Sequence, residues 1–394
     1  MKGYDIPAVV IGGGVNGLGV IRNLGRNGID VYCAVDKKDD MAIYSKYCKG
    51  YFIYPGVEND LQVLNEFLKE FEKLLTSKAV LFPTSDISVL NVSKLIDELH
   101  NYEVVMPKRE VLETLIVKRK FYESLEKMGI PHPTTLYPDR ENIENIKLKL
   151  QYPVFIKPSV SPIFAERFPG KKGFIANSER ELHHYLSLVQ KYKIDVVIQE
   201  IIQGPVQNIY AIDGYFDKNS KPVIFLAKHI LRSPTFFANP YALISIPLSE
   251  VSEMKDALIK YLTSINYRGL CNIQFKKDSR DKIFKLLEIN ARSAWYNSFS
   301  TACGMNFILT AYLEAIGKEI EPIEKYETEI YGIYLLYDLL TILTPSADLD
   351  ARFSFRKRLS SMIGRKHFID FARDDPKPFL TSLLNLVTNG RRKQ

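Results

Sequence analysis

Two neighbouring segments of the chain read GLCNIQF at residues 269–275 and LLEINAR at residues 286–292. Both are apolar runs of strand length, and we interpret them as paired β-strands. In the second run Glu288, Asn290 and Arg292 alternate with apolar residues, so a strand projects all three from one face. Such a face makes a poor core and a good site. Carboxylate and amide oxygens suit Mg²⁺ that bridges phosphates, and arginine suits a carboxylate or an acyl phosphate.

The segments upstream continue this texture of short apolar runs. One, YPVFIKP, places Lys157 at the end of a strand, and another, VVIQE, ends in Glu200. Strands that follow one another without helices between them pair antiparallel, so this part of the chain is predicted to be an α+β region. The predicted strands are residues 154–157, 173–176, 196–200, 209–215, 223–230, 271–276 and 284–289, with helices at 178–192 and 252–265.

The first third of the chain has a different pattern, in which short apolar runs alternate with helical segments. The runs are residues 8–11, 30–35, 79–83 and 103–107. This alternation predicts a parallel sheet covered by helices on both faces. The predicted fold class is therefore α/β followed by α+β.

A glycine-rich turn joins the first predicted strand to the first helix. Gly12, Gly14 and Gly17 follow the GxGxxG pattern, and Asp36 lies 19 residues after Gly17. This context fits dinucleotide binding. The same turn could serve tight strand–helix packing, or bind another small substrate at the helix N-terminus. The residues alone leave these three interpretations open.

Composition narrows the class of protein. The 394 residues predict two or three domains with real cores, and 46% hydrophobic with 25% charged residues excludes whole-chain disorder and fibrous classes. The four cysteines are scattered, which disfavours a disulfide framework or a structural zinc. No signal-peptide pattern is present, and the longest apolar run, residues 330–343, is too short to span a bilayer. We expect a soluble, cytoplasmic protein. The sequence has no stripe of alternating basic and aromatic residues, so we expect no binding of nucleic acid.

The net charge of +7 is concentrated near the C-terminus. Residues 352–394 contain eleven Lys and Arg against three Asp, a net charge of +8, so residues 1–351 carry about −1. A solvated helical face is one explanation of this excess. The alternative is contact with an anionic partner, either a membrane surface or a phosphorylated acceptor such as a cell-envelope precursor.

The order of these runs along the chain resembles the ATP-grasp superfamily, whose members activate a carboxylate as an acyl phosphate and couple it to a nucleophile. The resemblance implies a Rossmann-like preATP-grasp domain at residues 1–112, an ATP-grasp domain at 113–325 and a helical basic extension at 326–394. The ATP-grasp domain would comprise a lid at about 150–204 and a core at about 205–325. The tail resembles the carboxylate–amine ligase group that includes D-aspartate ligase, and the central motifs are also similar to carbamoyl-phosphate synthetase and biotin carboxylase.

The resemblance implies which residues bind the nucleotide. Lys118, rather than Lys120, and Lys157 would contact the ATP phosphates, and Lys172 would help to clamp them from the loop at residues 159–173. Glu200, Ile201 and Ile202 resemble the hinge that binds adenine. Gln207 stands where many relatives have a ribose-binding glutamate, so that contact departs from the family pattern.

The resemblance also implies a metal site and a catalytic set. Gln274, Glu288 and Asn290 match the residues that hold Mg²⁺ or Mn²⁺, although Gln274 replaces the usual acid. The remaining roles fall to two sets of residues. Lys228 would face the γ-phosphate, Arg232 would hold the substrate carboxylate or form an ion pair, and Arg292 would stabilise the acyl phosphate; Gly13, Gly14 and Asn16 would position substrate.

The function implied is an ATP-dependent carboxylate–amine ligase that releases ADP and phosphate. The expected partners are ATP, a small carboxylate such as an amino acid, and an amine, with a homodimer left open. One alternative is a non-catalytic ATP-binding regulatory or scaffold protein. Another is an NAD(P)-dependent oxidoreductase, which depends on the glycine turn and Asp36.

Overall fold

A computed structural model of the chain describes residues 4–139, 150–233, 240–343, 361 and 363–391. The N-terminal part forms a parallel sheet whose strand order is β3-β2-β1-β4-β5. Because the order reverses at β1, the loops after β1 and β4 meet at one crevice. The elements are β1 (Ala8–Ile11), α1 (Gly14–Gly25), β2 (Val31–Val35), β3 (Cys48–Ile53), α2 (Leu61–Glu72), β4 (Ala79–Pro83), α3 (Asp86–Leu95), β5 (Tyr102–Glu103) and α4 (Arg109–Ile116).

A small antiparallel sheet forms the lid, with the strand order β6-β9-β7-β8. Its apolar face, which includes Ile156 and Ile198, packs against the lid helices, and Phe164 of one helix lies in the same separate core. The lid therefore has its own stabilising interior. The elements are α5 (Lys118–Met128), β6 (Thr135–Leu136), β7 (Val154–Pro158), α6 (Ser161–Arg167), β8 (Phe174–Ala176), α7 (Glu179–Lys191) and β9 (Val196–Glu200).

The largest sheet has the order β14-β13-β10-β11-β12-β15-β16, and its pairs are antiparallel except β15 with β16. One face packs on α8, and the other packs on α1, α9 and α10. The strands are β10 (Ile209–Phe216), β11 (Pro222–Arg232), β12 (Ala242–Ile246), β13 (Gly269–Lys277), β14 (Phe284–Asn290), β15 (Tyr331–Ile333) and β16 (Lys366–Phe368). The helices are α8 (Ser252–Ser264), α9 (Asn297–Ala302), α10 (Phe307–Ala315), α11 (Leu335–Leu343) and α12 (Lys377–Arg391).

The predicted fold class, α/β followed by α+β, is confirmed by these three sheets. The predicted helical extension after residue 325 is wrong in part, because β15 and β16 extend the largest sheet. Strand β15 was not predicted because it lies in an apolar run that continues into α11. Its partner β12 was also not predicted. The lid sheet likewise begins earlier than predicted, at β6. Within the described residues, none of the helices is long and apolar enough to cross a membrane.

The C-terminal segment is fastened to the N-terminal domain by ion pairs. The buried Arg22 donates from Nε to Asp375 Oδ2 at 3.0 Å, and the partly exposed Arg26 binds Asp374 at 2.8 Å. Helix α12 packs beside the 3₁₀ turn Met41–Tyr44. Two of the three acids of the tail are therefore paired with arginines of the first domain. The basic residues at 352, 356–358, 392 and 393 lie outside the described residues, and contact of the tail with an anionic partner stays a prediction.

We predict that Asp375→Ala destabilises the protein far more than Asp374→Ala. The Arg22–Asp375 side chains are 2% and 1% exposed, so removing Asp375 strands a buried charge, which typically costs about 3–5 kcal/mol. The Arg26–Asp374 side chains are 34% and 43% exposed, and such pairs contribute about 1 kcal/mol or less. Urea unfolding of both variants measures the difference, and equal losses would contradict the prediction.

Candidate active site

The register of the largest sheet brings the predicted metal ligands into one row. Glu288 on β14 pairs with Gln274 on β13, and Gln274 pairs with Ala211 on β10. Directly paired residues project from the same face. Asn290 lies two residues after Glu288, and its Nδ2 donates to Glu288 Oε1 at 3.3 Å. The predicted alternation extends to Arg292, which donates to Asn290 Oδ1 at 3.4 Å.

Three lysines from separate segments act electrostatically on Glu288. Burial would raise the pKa of the Glu288 carboxyl, but attraction to Lys118 and Lys157, a hydrogen bond from Asn290 and attraction to Lys172 lower that pKa below its ordinary value. Burial in turn lowers the pKa of the Lys157 ammonium, and Glu288 opposes that shift. The site therefore carries an excess of positive charge beside a row of oxygen ligands, which suits a polyphosphate with a divalent cation.

The choice between the two candidate lysines of α5 is resolved by their partners. Lys118 acts on the pKa of Glu288, whereas Lys120 is exposed and pairs with Glu113 at 3.2 Å. The structure therefore places Lys118 where it acts on Glu288 and leaves Lys120 on the surface, and contact of Lys118 with the ATP phosphates stays a prediction.

Sequence reasoning missed Tyr122, which links the lid to the metal row. Lys157 Nζ donates to the Tyr122 hydroxyl at 3.2 Å, and that hydroxyl donates to the carbonyl of Leu287 at 2.8 Å. Burial raises the pKa of Tyr122 to about 12, so the hydroxyl keeps its proton. A signal was available, because Tyr122 lies four residues after Lys118 and the two share a helix face.

Arg292 connects the largest sheet to the N-terminal domain. Its Nε donates to Asp86 Oδ1 at 2.8 Å, and Asp86 is the first residue of α3. The guanidinium is partly exposed, at 19%. A ligand that enters between these domains can therefore reach Arg292.

The predicted hinge connects the lid to the core. The Glu200 carboxylate accepts from the Thr134 amide at 2.8 Å and pairs with Arg280 at 2.6 Å and Lys285 at 3.1 Å. The backbone carbonyl of Ile202 accepts from Lys276 at 2.9 Å. Contacts of Glu200, Ile201 and Ile202 with adenine stay predictions.

Gln207 is the residue predicted to contact the ribose. Its side-chain amide donates to the backbone carbonyl of Leu231 at 2.9 Å. A ribose contact of Gln207 stays a prediction.

Two predicted catalytic cations are buried in ion pairs instead. Lys228 is fully buried, pairs with Asp213 and lies 4.1 Å from the centroid of the Tyr296 ring. Arg232 is 1% exposed and binds Asp338 through two hydrogen bonds, at 2.8 and 3.0 Å. The predicted contacts of Lys228 with the γ-phosphate and of Arg232 with a substrate carboxylate are therefore wrong for this structure. Buried charges need partners within the protein, and the ion-pair alternative for Arg232 holds.

The glycine turn is filled by a side chain of its own domain. The amide of Gly14 donates to both carboxylate oxygens of Asp40 at 2.9 Å. A Cβ on Gly13 would come within 2.2 Å of the same carboxylate. The predicted substrate-binding role of Gly13 and Gly14 is therefore replaced by close approach of Asp40.

Asn16 is likewise a structural residue. It is 8% exposed, and its Nδ2 donates to the carbonyls of Thr84 at 2.8 Å and Ser293 at 3.1 Å. Its Oδ1 accepts from Ser293 Oγ at 2.7 Å and Asn297 Nδ2 at 2.9 Å. The amide is saturated by protein groups, so the prediction that Asn16 contacts substrate is wrong. It joins the N-terminal domain to the segment after β14.

The charges around this turn argue against a dinucleotide. Asp40 occupies the N-terminus of α1 where a pyrophosphate would bind. Burial, with repulsion from Asp36 and Asp40, raises the pKa of Glu58 to about 7. Three carboxyl groups in this position repel phosphate, and the oxidoreductase alternative loses its basis.

The donors of the row fit Mg²⁺ or Mn²⁺ in combination with phosphate oxygens. Among the described residues, no group of three or more His, Cys, Asp and Glu side chains is placed to hold a metal. A cation here would therefore depend on Glu288, on the amide oxygens of Gln274 and Asn290, and on oxygens that a nucleotide supplies.

Comparisons with known proteins agree with this geometry. The family model for the ATP-binding domain of the carbamoyl-phosphate synthase L chain matches residues 244–322. A D-aspartate ligase of Enterococcus faecium is 28% identical over 323 residues, which cover 78% of this chain and 76% of that protein. The arginine-specific large chain of carbamoyl phosphate synthase from Bacillus subtilis is 24% identical, but the match spans 17% of its length.

Solved structures share the fold. N5-carboxyaminoimidazole synthetase from Staphylococcus aureus, complexed with ADP, has a TM-score of 0.65 and 16% identity, covering 83% of this chain and 80% of that one. The biotin carboxylase domain of Hydrogenobacter thermophilus 2-oxoglutarate carboxylase, with MgADP and bicarbonate, has a TM-score of 0.64 and 17% identity, covering 83% and 74%. The ATP-grasp fold and the resemblance to the carboxylate–amine ligase group are confirmed. The relatives are named as ligases, synthases and carboxylases, which agrees with the predicted enzyme class.

We predict that Tyr122→Phe lowers the affinity for ATP about tenfold, or roughly 1.4 kcal/mol, because Lys157 loses the hydroxyl that positions it. Isothermal titration of ATP measures the change. Tyr261→Phe is the matched control. The Tyr261 hydroxyl forms a hydrogen bond of 2.6 Å with Ser124, which does not belong to the metal row. Equal affinities of the two variants would contradict the linking role of Tyr122.

The raised pKa of Glu58 predicts a pH-dependent stability. A carboxyl whose pKa rises on folding from 4.5 to about 7 stabilises the fold below pH 4.5 and loses that contribution as the pH rises through 7. We expect the thermal midpoint of the wild type, relative to that of Glu58→Gln, to decrease as the pH is raised from 5.5 to 8, by about 1 °C for each kcal/mol lost in a chain of 394 residues. Parallel melting curves across this range would show that Glu58 titrates normally.

Proposed function

We propose that this chain is an ATP-dependent carboxylate–amine ligase that joins an amino acid or a related small carboxylate to an amine through an acyl phosphate. The observation that carries the proposal is the convergence of Lys118, Lys157 and Lys172 on Glu288, with Arg292 at the end of the same row. The D-aspartate ligase relative supports an amino acid as the carboxylate substrate. An amine on a cell-envelope precursor is the acceptor class that we propose first.

The three lysines would neutralise the triphosphate of ATP. Glu288 and the amide oxygens of Gln274 and Asn290 would hold Mg²⁺ or Mn²⁺, which supplies charge neutralisation to the phosphates when it is bound. Tyr122 would keep Lys157 in place through its bridge to the Leu287 carbonyl. The protein thus contributes positioning and preorganised charge, with no covalent step on a side chain.

The reaction balances as two displacements. A carboxylate oxygen attacks the γ-phosphorus of ATP, the bond to the β-phosphate oxygen breaks, and ADP leaves. The amine nitrogen then attacks the carbonyl carbon of the acyl phosphate, phosphate leaves, and the nitrogen loses a proton to give the amide. Arg292 follows β14, bonds Asp86 of α3 and remains partly exposed, and it would stabilise charge on the acyl phosphate.

A second candidate function is nucleotide binding without ligase turnover. The observation that favours it is Gln274, an amide at a position where relatives usually carry an acid. With one fewer negative charge, the row would hold a second cation less well.

Release of ADP, scanned across amino acids and amine acceptors and starting with aspartate, separates the two candidates. We expect ADP release that depends on a substrate pair, and a loss of kcat/KM of about 100-fold or more in Lys118→Ala. Lys120→Ala, two residues away and paired with Glu113, should stay within about twofold of the wild type.

Binding of ATP with no stimulation by any pair would favour the second candidate. Failure to bind ATP with Mg²⁺ would overturn both.

A further inference from the structure

A buried polar cluster lies on the sheet directly beside the metal row. Asp213 on β10 pairs in register with Asn272 on β13, which pairs with Asn290 on β14. Asp213 and Asn272 are 4% and 3% exposed, so neither contacts a ligand directly. The cluster can therefore act on the row only through hydrogen bonds.

The carboxylate of Asp213 dictates which way the Asn272 amide faces. Asp213 accepts from Asn272 Nδ2 at 2.8 Å and from Ser300 Oγ at 2.7 Å, and it pairs with Lys228. A carboxylate offers only acceptors, so Asn272 must present its NH₂ group. The second hydrogen of that group bonds the Tyr296 hydroxyl at 3.1 Å. The Asn272 oxygen is thereby turned toward β14.

The orientation passes on to Asn290. Asn290 Nδ2 donates to Asn272 Oδ1 at 3.4 Å, to the Asn272 backbone carbonyl at 3.5 Å and to Glu288 Oε1 at 3.3 Å. Both hydrogens of its NH₂ group are thereby directed at acceptors, which leaves Oδ1 on the side of Arg292. An amide ligates a hard cation only through its oxygen, so a flipped Asn290 would present NH₂ to the metal and lose its function.

We propose that Asp213, acting through Asn272, is a positioning residue that fixes the Asn290 amide with its oxygen available to the metal. The proposal rests on the metal-binding role proposed for Glu288 and Asn290. It also accounts for Lys228, which was predicted to face the γ-phosphate and is instead fully buried against Asp213. Lys228 neutralises Asp213, and Asp213 sets the direction of the hydrogen bonds.

The test measures the binding of Mn²⁺ in the presence of ADP. The electron paramagnetic resonance signal of free Mn²⁺ reports how much of the cation remains unbound. Asp213→Asn with Lys228→Met removes both charges and keeps the volume, which avoids a stranded buried ion. An asparagine at 213 can face either way, so Asn272 no longer presents a fixed acceptor, and the Asn290 amide keeps only its contacts with Glu288 and the Asn272 backbone carbonyl. We expect Mn²⁺ affinity to fall about tenfold or more, the usual effect of losing an outer-shell partner.

Two further variants distinguish positioning from general damage. Asn290→Asp presents an oxygen in either orientation, so adding it to the double variant should restore the affinity to that of Asn290→Asp alone. Ser300→Ala removes another hydrogen bond of Asp213 but leaves the direction of Asn272 intact, and it should leave Mn²⁺ affinity within about twofold of the wild type. Failure of the rescue, or an equal loss in Ser300→Ala, would overturn the proposal.

The outcomes separate this proposal from the proposed function. A wild type that does not bind Mn²⁺ with ADP overturns the metal site itself. A wild type that binds, with unchanged binding in the folded double variant, overturns only the role of Asp213. If thermal melting shows that the double variant does not fold, Asn272→Ala removes the oxygen that accepts from Asn290 and keeps the Asp213–Lys228 ion pair. That variant should lower Mn²⁺ affinity as well, and unchanged affinity would refute the inference.

Discussion

The attraction between one carboxylate and three lysines organises the site. Glu288 lies on a strand of the largest sheet, while Lys118, Lys157 and Lys172 come from a helix, a lid strand and a lid loop. Without a negative charge at their centre, these ammonium groups would repel one another and hold the lid away from the sheet. Glu288 supplies part of that charge, and the triphosphate of a nucleotide would supply the remainder. The residues proposed to bind the nucleotide are thus the ones that draw the lid toward the core.

The alternation of polar and apolar side chains along a strand could be predicted from the sequence. The elements that cover each face of the strand could not. Glu288, Asn290 and Arg292 share a face because side-chain direction repeats every two residues, a purely local rule. The same rule cannot say whether a face meets solvent or another layer. Lys228 and Arg232 lie on a strand whose face is buried, and Asp338, the partner of Arg232, is 106 residues away along the chain. Such pairings appear only once the sheets are assembled.

The glycine turn is a second case in which the local structure was predictable and the contacting side chain was not. Its sequence context satisfied the dinucleotide pattern, and the backbone geometry of strand, turn and helix follows as expected. The anion at the helix N-terminus is nevertheless the carboxylate of Asp40, which lies 26 residues from Gly14. A glycine pattern predicts that an anion can be accommodated, whereas its identity depends on which distant side chain folds over the turn. Tyr122 was missed for a related reason, since its hydroxyl acts between two elements.

The ion pair between Arg22 and Asp375 has a consequence for the order in which the molecule can be built. The two residues are 353 positions apart, and the arginine belongs to the first helix of the first domain. On the ribosome that domain emerges long before its partner, so α1 must wait with a guanidinium that is still hydrated while the lid and the large sheet are synthesised. Burial of Arg22 then becomes one of the last events of folding. A chain interrupted before residue 375 would retain the proposed nucleotide-site residues and yet leave Arg22 without the carboxylate that accompanies its burial.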